Sequence, residues 1–456
     1  MEKTYKRIIS RFLRLMGSVL LLISFFVPMA KAQNLRLISD DEAEQLLAHI
    51  IKPLFKAAEI PFNPNDVYIV EDNSLNAFVA DGNNMFIHTG TILAADSPNE
   101  ISGVLAHETG HIQGGHILRQ KLKAQSLQQV SLASAILAGA AAMASGRADV
   151  AVAAVLGGQS SILTHFTHYR TEEERSADEA AINLLEKTKQ SPQGMLTFMK
   201  RIANQYQLQG VEEIPYFRTH PVTRERITFF EEAVKKSPVA QDNKLQDEFE
   251  RVKAKLYAYL MQPQQTLRKY PISDKSFAAK YARTIAYFKQ LQLKKADKEL
   301  NELLQIEPSN PYLHELKGQM YMETGKIKQA KAEYAKSLEL RPHSASLQVS
   351  YAQAILEDDP TPQEAGKAIS LLNNSQVSRP SGFAWLLLAR AYGLQGNIAA
   401  ANYASAEYSF ATGATSVAME QIKQAKKANP DERLALRISD LEAKINSVEP
   451  NKKKSD

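Results

Sequence analysis

The sequence predicts a mainly α-helical protein in two parts, an α+β domain with a small β-hairpin or sheet followed by an α-solenoid. Three observations carry that prediction. A helix-forming stretch holds two histidines four residues apart, at 107 and 111. Short β-branched and aromatic runs bounded by turn residues precede it. Beyond residue 287, small residues and prolines recur every 34 positions.

The chain has 456 residues, enough for two or three domains each with its own core, and an ordinary globular composition of 44% hydrophobic and 23% charged residues. Its start is different. Lys3, Lys6, Arg7, Arg11 and Arg14 precede an apolar run from Leu15 to Met29, and Ala30-Lys31-Ala32 has the small-x-small pattern of a cleavage site. This reads as a signal peptide cleaved after Ala32, the run being short for a membrane span. Of the 55 basic and 50 acidic side chains, six and one fall in the leader, leaving 49 of each. The excess positive charge thus belongs to the leader, and composition gives no case for nucleic acid. With no cysteine, disulfides and thiolate ligands are excluded. Any metal must be held by His, Asp or Glu.

In chain order, Ser39-Asp40-Asp41-Glu42 predicts a capped helix running to about Ala58. Strands are expected at Val67–Val70, Asn76–Ala80 and Met85–His88, with Asp81-Gly82-Asn83-Asn84 as a hairpin turn. Ser97-Pro98-Asn99-Glu100 offers an N-cap serine, a first-turn proline and a capping-box glutamate for a helix over about 98–120. Residues 130–163 are two Ala/Gly-rich apolar runs, each too short to span a bilayer. They read as a helical hairpin packed on the preceding helix, or else as a lid or peripheral membrane contact. Helices are expected over 170–189, 192–207 and 240–261, with Thr219-His220-Pro221 turning into another, and the Pro263–Pro271 stretch marks a boundary.

The repeat then begins. Ala296 and Ala330, Pro308 and Pro342, Tyr287 and Tyr321, and Leu291 and Gly325 are each 34 residues apart, the tetratricopeptide spacing. A third unit ends at Pro380 with an insertion around Asp358–Pro362. A fourth frame fits Trp385, Leu388, Ala389, Tyr392 and Gly396, and a fifth fits Ala406, Gly413, Ala418, Ala425 and Pro430. The last two are offset by half a repeat and share a helix. Residues 431–448 read as a solvating cap. The expected divisions are a leader at 1–32, an α+β domain at 33–265, a repeat domain at 272–448 and a charged tail at 449–456.

The chemistry centres on His107-Glu108-x-x-His111. On a helix, positions i and i+4 share a face, so both imidazoles reach one metal ion while Glu108 stands beside its open side. A short motif of this kind also arises by chance. A catalytic zinc needs a third protein ligand and an open position. Glu174 is the candidate third ligand, with Asp178 four residues on hydrogen-bonding a ligand histidine to fix its tautomer. In the competing reading, Thr171-Glu172-Glu173-Glu174 is a capping box and Glu174 only caps its helix. His220 stabilises an oxyanion, occupies the open position itself, or merely caps the turn at Pro221. The hairpin formed by the Asn76–Ala80 and Met85–His88 strands is the candidate to pair with extended substrate, or simply packs.

Taken together, His107-Glu108-x-x-His111, Glu174-x-x-x-Asp178 and Thr219-His220-Pro221 with Arg226 resemble the HtpX/BepA-type gluzincin metallopeptidases. Leader and tetratricopeptide repeats make the chain similar to their periplasmic branch. The resemblance implies a zincin-like metallopeptidase domain with one zinc ion held by His107, His111 and Glu174. It also implies Glu108 as general base, His220 as the residue gating the metal, and Asn76-Ala77-Phe78 on the substrate-side strand. It further implies a periplasmic protease and chaperone-like factor acting on misfolded or stalled outer-membrane β-barrel proteins, its repeats docking on the barrel-assembly machinery. The long Ala/Gly-rich link before Glu174 departs from the family, so lid behaviour need not carry over. The second reading is a non-proteolytic adaptor or holdase in which the repeats act and the metal site is structural or closed.

Overall fold

A computed structural model of the protein describes residues 36–80, 82–116, 118, 119, 122, 171–209, 216, 219–240 and 244–448. The leader and its cleavage site, Asp81 of the hairpin turn, the Ala/Gly-rich stretch 130–163 and the tail 449–456 lie outside the described residues. The described part is mainly helical with one small sheet. None of its helices is long and apolar enough to cross a membrane.

Strand β1 (Leu37–Ile38) leads into helix α1 (Asp41–Ala57), where Asp40 accepts the backbone N–H of Ala43 as N-cap. Strands β2 (Val67–Val70), β3 (Ala77–Ala80) and β4 (Asn84–His88) fall where alternation and turn residues put them. The spatial order is β1-β2-β4-β3. β3 pairs antiparallel with β4 through the expected hairpin, while β2 pairs with β4 in parallel. β3 is therefore an edge strand. Tyr68, Phe86 and Phe78 stack across the three strands with neighbouring ring centroids 4.9 Å apart, pinning the register on the outer face. Ile69, Ala77, Met85 and Ile87 point into the core.

After the short helix α2 (Thr89–Ala94) comes α3 (Pro98–Gln113), buried at every position from Pro98 to His111. The amphipathic spacing of Ile101, Val104 and Leu105 accounts for one face only. The others are covered because the neighbours approach at glycines. A Cβ on Gly103 would lie 2.5 Å from the Met195 nitrogen, one on Gly110 2.8 Å from the Ala177 carbonyl oxygen, and one on Gly194 1.9 Å from the Asn99 oxygen. Helices α4 (171–187) and α5 (Gln193–Gln209) thus lie directly on the α3 backbone. Helix α6 (Arg224–Lys236), capped by Thr223, and α7 (Gln246–Leu260) complete this core.

Two features of α3 differ from expectation. Ser97 makes no side-chain cap bond; Glu100 instead accepts the Asp96 N–H at 2.9 Å and pairs with Arg201 of α5 at 3.1 Å. A buried carboxylate gains more from a guanidinium than from closing a capping box. The helix also breaks after Gln113, because Gly114 ends it and Gly115 turns the chain at φ +63°, before helical residues resume at 116, 118, 119 and 122.

The boundary expected at Pro263–Pro271 is itself partly helical, over Pro263–Lys269. Helix α7 gives Phe249, Val252 and Leu256 to the first core and Ala254 and Ala258 to the next, so one rigid element crosses from the α+β part to the solenoid. Helical pairs follow at Phe277–Lys289 with Leu293–Ile306 and at Pro311–Glu323 with Ile327–Leu340. Leu291, Gly325 and Asp359, spaced by 34, all turn the chain at positive φ (59°, 76° and 47°). The third unit's extra length sits mainly in its second helix, Pro362–Ser378, which has 17 residues against 14 in the two before it. The insertion near Asp358 is thus a lengthened helix more than a loop. Ile398–Ala411 is the helix common to the fourth and fifth frames, and Glu432–Val448 ends the stack.

The repeats close back onto α1. The Tyr281 hydroxyl donates to Glu42 at 3.0 Å, Arg341 to Asp41 at 3.1 Å, and Arg379 pairs with Glu44. The acidic first turn that suits the α1 dipole is thereby also a docking point for three repeat helices.

Close backbone approach at α3 predicts that Gly194→Ala lowers the unfolding free energy by about 1–3 kcal/mol in chemical denaturation. Gly393→Ala, on an open helix face with nothing within 4 Å, should raise it by about 0.5–1 kcal/mol.

Candidate metal centre

Full burial of α3 makes each polar side chain on it costly unless it finds a partner. Thr109 donates to the Leu105 carbonyl at 2.6 Å, and Ser102 bonds Gln190. The remaining polar groups, His107, Glu108 and His111, face α4 and the turn at His220.

There, His107 Nε2 and His111 Nε2 stand 3.1 Å apart. Glu174 Oε2 lies 3.4 Å from His107 Nε2, and Glu174 Oε1 lies 3.3 Å from His111 Nε2. His220 Nδ1 is 2.9 Å from Glu174 Oε1 and 3.4 Å from His107 Nε2. One donor atom from each of these four buried residues falls within 4.8 Å of the others, a group able to hold a metal ion. Three imidazoles and a carboxylate, with no thiolate, form a donor set suited to a borderline divalent ion. The Glu174 side chain is buried with its carboxylate between the two histidines, the orientation a ligand needs rather than a helix cap.

Behind the donors lies a charged frame. Arg226 donates from Nε and Nη2 to the two Asp178 oxygens at 2.6 and 2.8 Å, and its Nη1 pairs with Glu174 Oε2 at 2.8 Å. Asp178 in turn sits 2.9 Å from His107 Nδ1. Asp178, four residues after Glu174, thus faces His107, and Arg226 is the cation common to both carboxylates.

The electrostatics follow. Burial pushes the Asp178 and Glu174 carboxyls up, but Arg226 beside the first and the histidines around the second more than reverse this, leaving both below their ordinary values. Burial works against charge on His107, yet Asp178 and Glu174 outweigh it and lift the imidazole to about 9. His111 is pushed down to about 3 by burial. Glu108 behaves oppositely to the other carboxyls. Burial raises it, and both its oxygens are buried without a protein hydrogen bond among the described residues. His220 Nε2 stands 3.5 Å from its Oε1.

Asn76 and Phe78 bond and stack away from this cluster. The Asn76 backbone N–H donates to Thr91 Oγ1 at 2.7 Å and its carbonyl accepts from Thr91 and His88, while Phe78 stacks on Phe86. They fix the edge strand β3, which packs beside α3.

Two neighbours escaped the sequence reading. Tyr216 is fully buried with its ring tilted on His220, centroids 4.8 Å apart. Its flanking sequence carries no motif. His116 is buried with Nδ1 2.8 Å from His111 Nδ1. Its five-residue spacing from His111 was the available signal.

Because Arg226 neutralises two buried carboxylates, Arg226→Met should cost about 3–5 kcal/mol of stability by denaturation. The stabilisation carried by the depressed Asp178 carboxyl is complete above the unfolded aspartate pKa near 4 and is lost as pH falls through its lower folded value. Asp178→Asn should therefore flatten the acid limb of the stability–pH curve.

Residues 41–234 match Peptidase family M48. The putative beta-barrel assembly-enhancing protease of Vibrio cholerae is 24% identical over 287 residues, covering 61% of this chain and 58% of that relative. The beta-barrel assembly-enhancing protease of Escherichia coli K12 is 24% identical over 364 residues, covering 78% of this chain and 73% of the relative. A protease HtpX homolog of Streptococcus agalactiae is 35% identical over 106 residues, 23% of this chain and 35% of its own. The chain thus spans somewhat over half the length of the first of these relatives and about three-quarters of the second. The His-Glu-x-x-His helix and the buried Glu174 carboxylate both lie inside the range, residues 41–234, that is similar to peptidase family M48.

Proposed function

We propose that the chain is a zinc-dependent metalloendopeptidase of the periplasm that acts on misfolded or stalled outer-membrane β-barrel proteins, with activity gated at the metal. The observation that carries this reading is the four-donor cluster with Glu108 beside it. A purely structural site has no use for a buried carboxylate whose oxygens are left unbonded by the protein.

In this reading His107, His111 and Glu174 hold the zinc, Asp178 orients His107, and Arg226 holds Asp178 and Glu174 in place. Zinc bound there supplies Lewis-acid polarisation of a peptide carbonyl and of an attacking water. Glu108, its carboxyl raised by burial toward the working pH, accepts the proton of the attacking water and passes it to the leaving amine. His220, whose Nδ1 stands among the donor atoms, would fill the position that water or substrate needs. Its withdrawal then switches the enzyme on.

Substrate choice follows from the same geometry together with the relatives, whose names speak of barrel assembly. The edge strand β3 beside the metal helix suits an extended chain that adds as a further strand. Unassembled barrel proteins expose such strands with unpaired edges. The solenoid at 272–448 is the surface for the barrel-assembly machinery, and the leader at 1–32 provides export. The placement of His220 also favours a second reading, a holdase whose metal site stays closed while the repeats act.

One comparison tests both: wild type, Glu108→Gln and His220→Ala, each assayed for bound zinc and for cleavage of an unfolded β-barrel protein. The expected outcome is zinc in all three, cleavage reduced at least 100-fold in Glu108→Gln, and faster cleavage in His220→Ala than in wild type. Cleavage that survives Glu108→Gln sinks the assignment. Zinc in all three without cleavage, even in His220→Ala, favours the holdase.

A further inference from the structure

The two histidines on α3 need different support. To hold a metal ion between them and Glu174, each must offer it an Nε2 lone pair, so each must carry its proton on Nδ1, and a buried N–H requires an acceptor. His107 faces Asp178 there, an ion-pair contact with Oδ1 2.9 Å from its Nδ1. For His111 the group at that position is His116, whose Nδ1 lies 2.8 Å from His111 Nδ1. The two rings meet edge to face, 4.9 Å between centroids and 77° between planes.

Local sequence explains how a side chain only five residues on can fold back so far. Gly115 takes the chain through φ +63°, which an L side chain rarely adopts. Gly114 leaves the space, since a Cβ there would lie 2.4 Å from His116 Nε2. Gly114-Gly115-His116 therefore ends the metal-motif helix and also tucks an imidazole under its second histidine. The ring is 1% exposed. A neutral ring with its own proton on Nε2 presents the Nδ1 lone pair that His111 requires.

We propose that His116 is the positioning residue for His111, accepting the His111 Nδ1–H and fixing the tautomer and ring orientation in which Nε2 binds the metal. This rests on the metal-site reading above. It makes the two α3 ligands unequal. His107 is backed by an anion, whereas His111 is backed by a neutral acceptor that transfers little negative charge, so His111 is the weaker and more readily released donor.

The test measures zinc dissociation into a chelator, together with apo-protein thermal stability, for the full mature chain. The set is wild type, His116→Ala, His116→Asn and Gly114→Ala. Losing the groups that orient metal ligands costs about 10–100-fold in affinity. His116→Ala should therefore release zinc about 10–100-fold faster. His116→Asn places an amide oxygen near the lost Nδ1 and should recover most of that loss. Gly114→Ala, which leaves His116 in the chain but displaces its ring, should also release zinc faster than wild type. If zinc release from His116→Ala and Gly114→Ala equals that of wild type, the inference is overturned while the metal site stands. If His116→Ala fails to fold, His116→Asn and Gly114→Ala decide it between them. Faster release in His116→Asn equal to that in His116→Ala overturns the acceptor role. A wild type that takes up no zinc overturns the metal-site reading and this inference with it.

Discussion

The arrangement depends on one buried guanidinium. Arg226 is held on α6 by the Thr223 cap and reaches both carboxylates that stand behind and between the histidines. Without it, Asp178 and Glu174 would be two buried anions a few ångströms apart, and burial would protonate at least one of them. With it, both stay ionised, Asp178 can orient His107, and Glu174 keeps its oxygens available between His107 and His111. The Pro221 carbonyl accepts from the same guanidinium at 2.9 Å, which ties the His220 turn into the same frame. Asp178, Glu174 and the His220 turn are therefore coupled through a single side chain.

A second constraint is the burial of α3. A helix covered on all sides ordinarily has an apolar surface, yet this one carries Asn99, Glu100, Ser102, His107, Glu108, Thr109 and His111. Glycines make the covering possible by letting α4 and α5 rest on its backbone. Each polar group then has to be answered locally. Glu100 is answered by Arg201, Thr109 by its own helix and His111 by His116, while His107 Nδ1 faces Asp178 in an ion-pair contact. Glu108 is left unanswered by the protein, and the same burial that makes this costly raises its pKa and suits it to proton transfer. Cost and chemistry have one origin.

The solenoid is joined to this domain by more than a linker. α7 belongs to two cores, and the acidic first turn of α1 receives Tyr281, Arg341 and Arg379 from successive repeats. The repeats are therefore positioned against the peptidase domain by buried and half-buried polar contacts.

How much of this was legible can be seen residue by residue. The sequence by itself determined the elements whose signals are local: the α1 cap, the β3–β4 hairpin, the 34-residue register of the turns at 291, 325 and 359, and the shared face of His107 and His111. It also pointed to Glu174 with Asp178, because i, i+4 spacing is a helical rule that needs no partner. Tertiary structure alone decided the parallel pairing of β2 with β4, the loss of the Ser97 capping box to Arg201, the break at Gly114-Gly115, and the convergence of Arg226, Tyr216 and His116 on the histidines. These are contacts between groups far apart in the chain, or across a glycine turn. They are set by which surfaces can approach closely enough to bury charge, and one-dimensional periodicity carries no record of that distance.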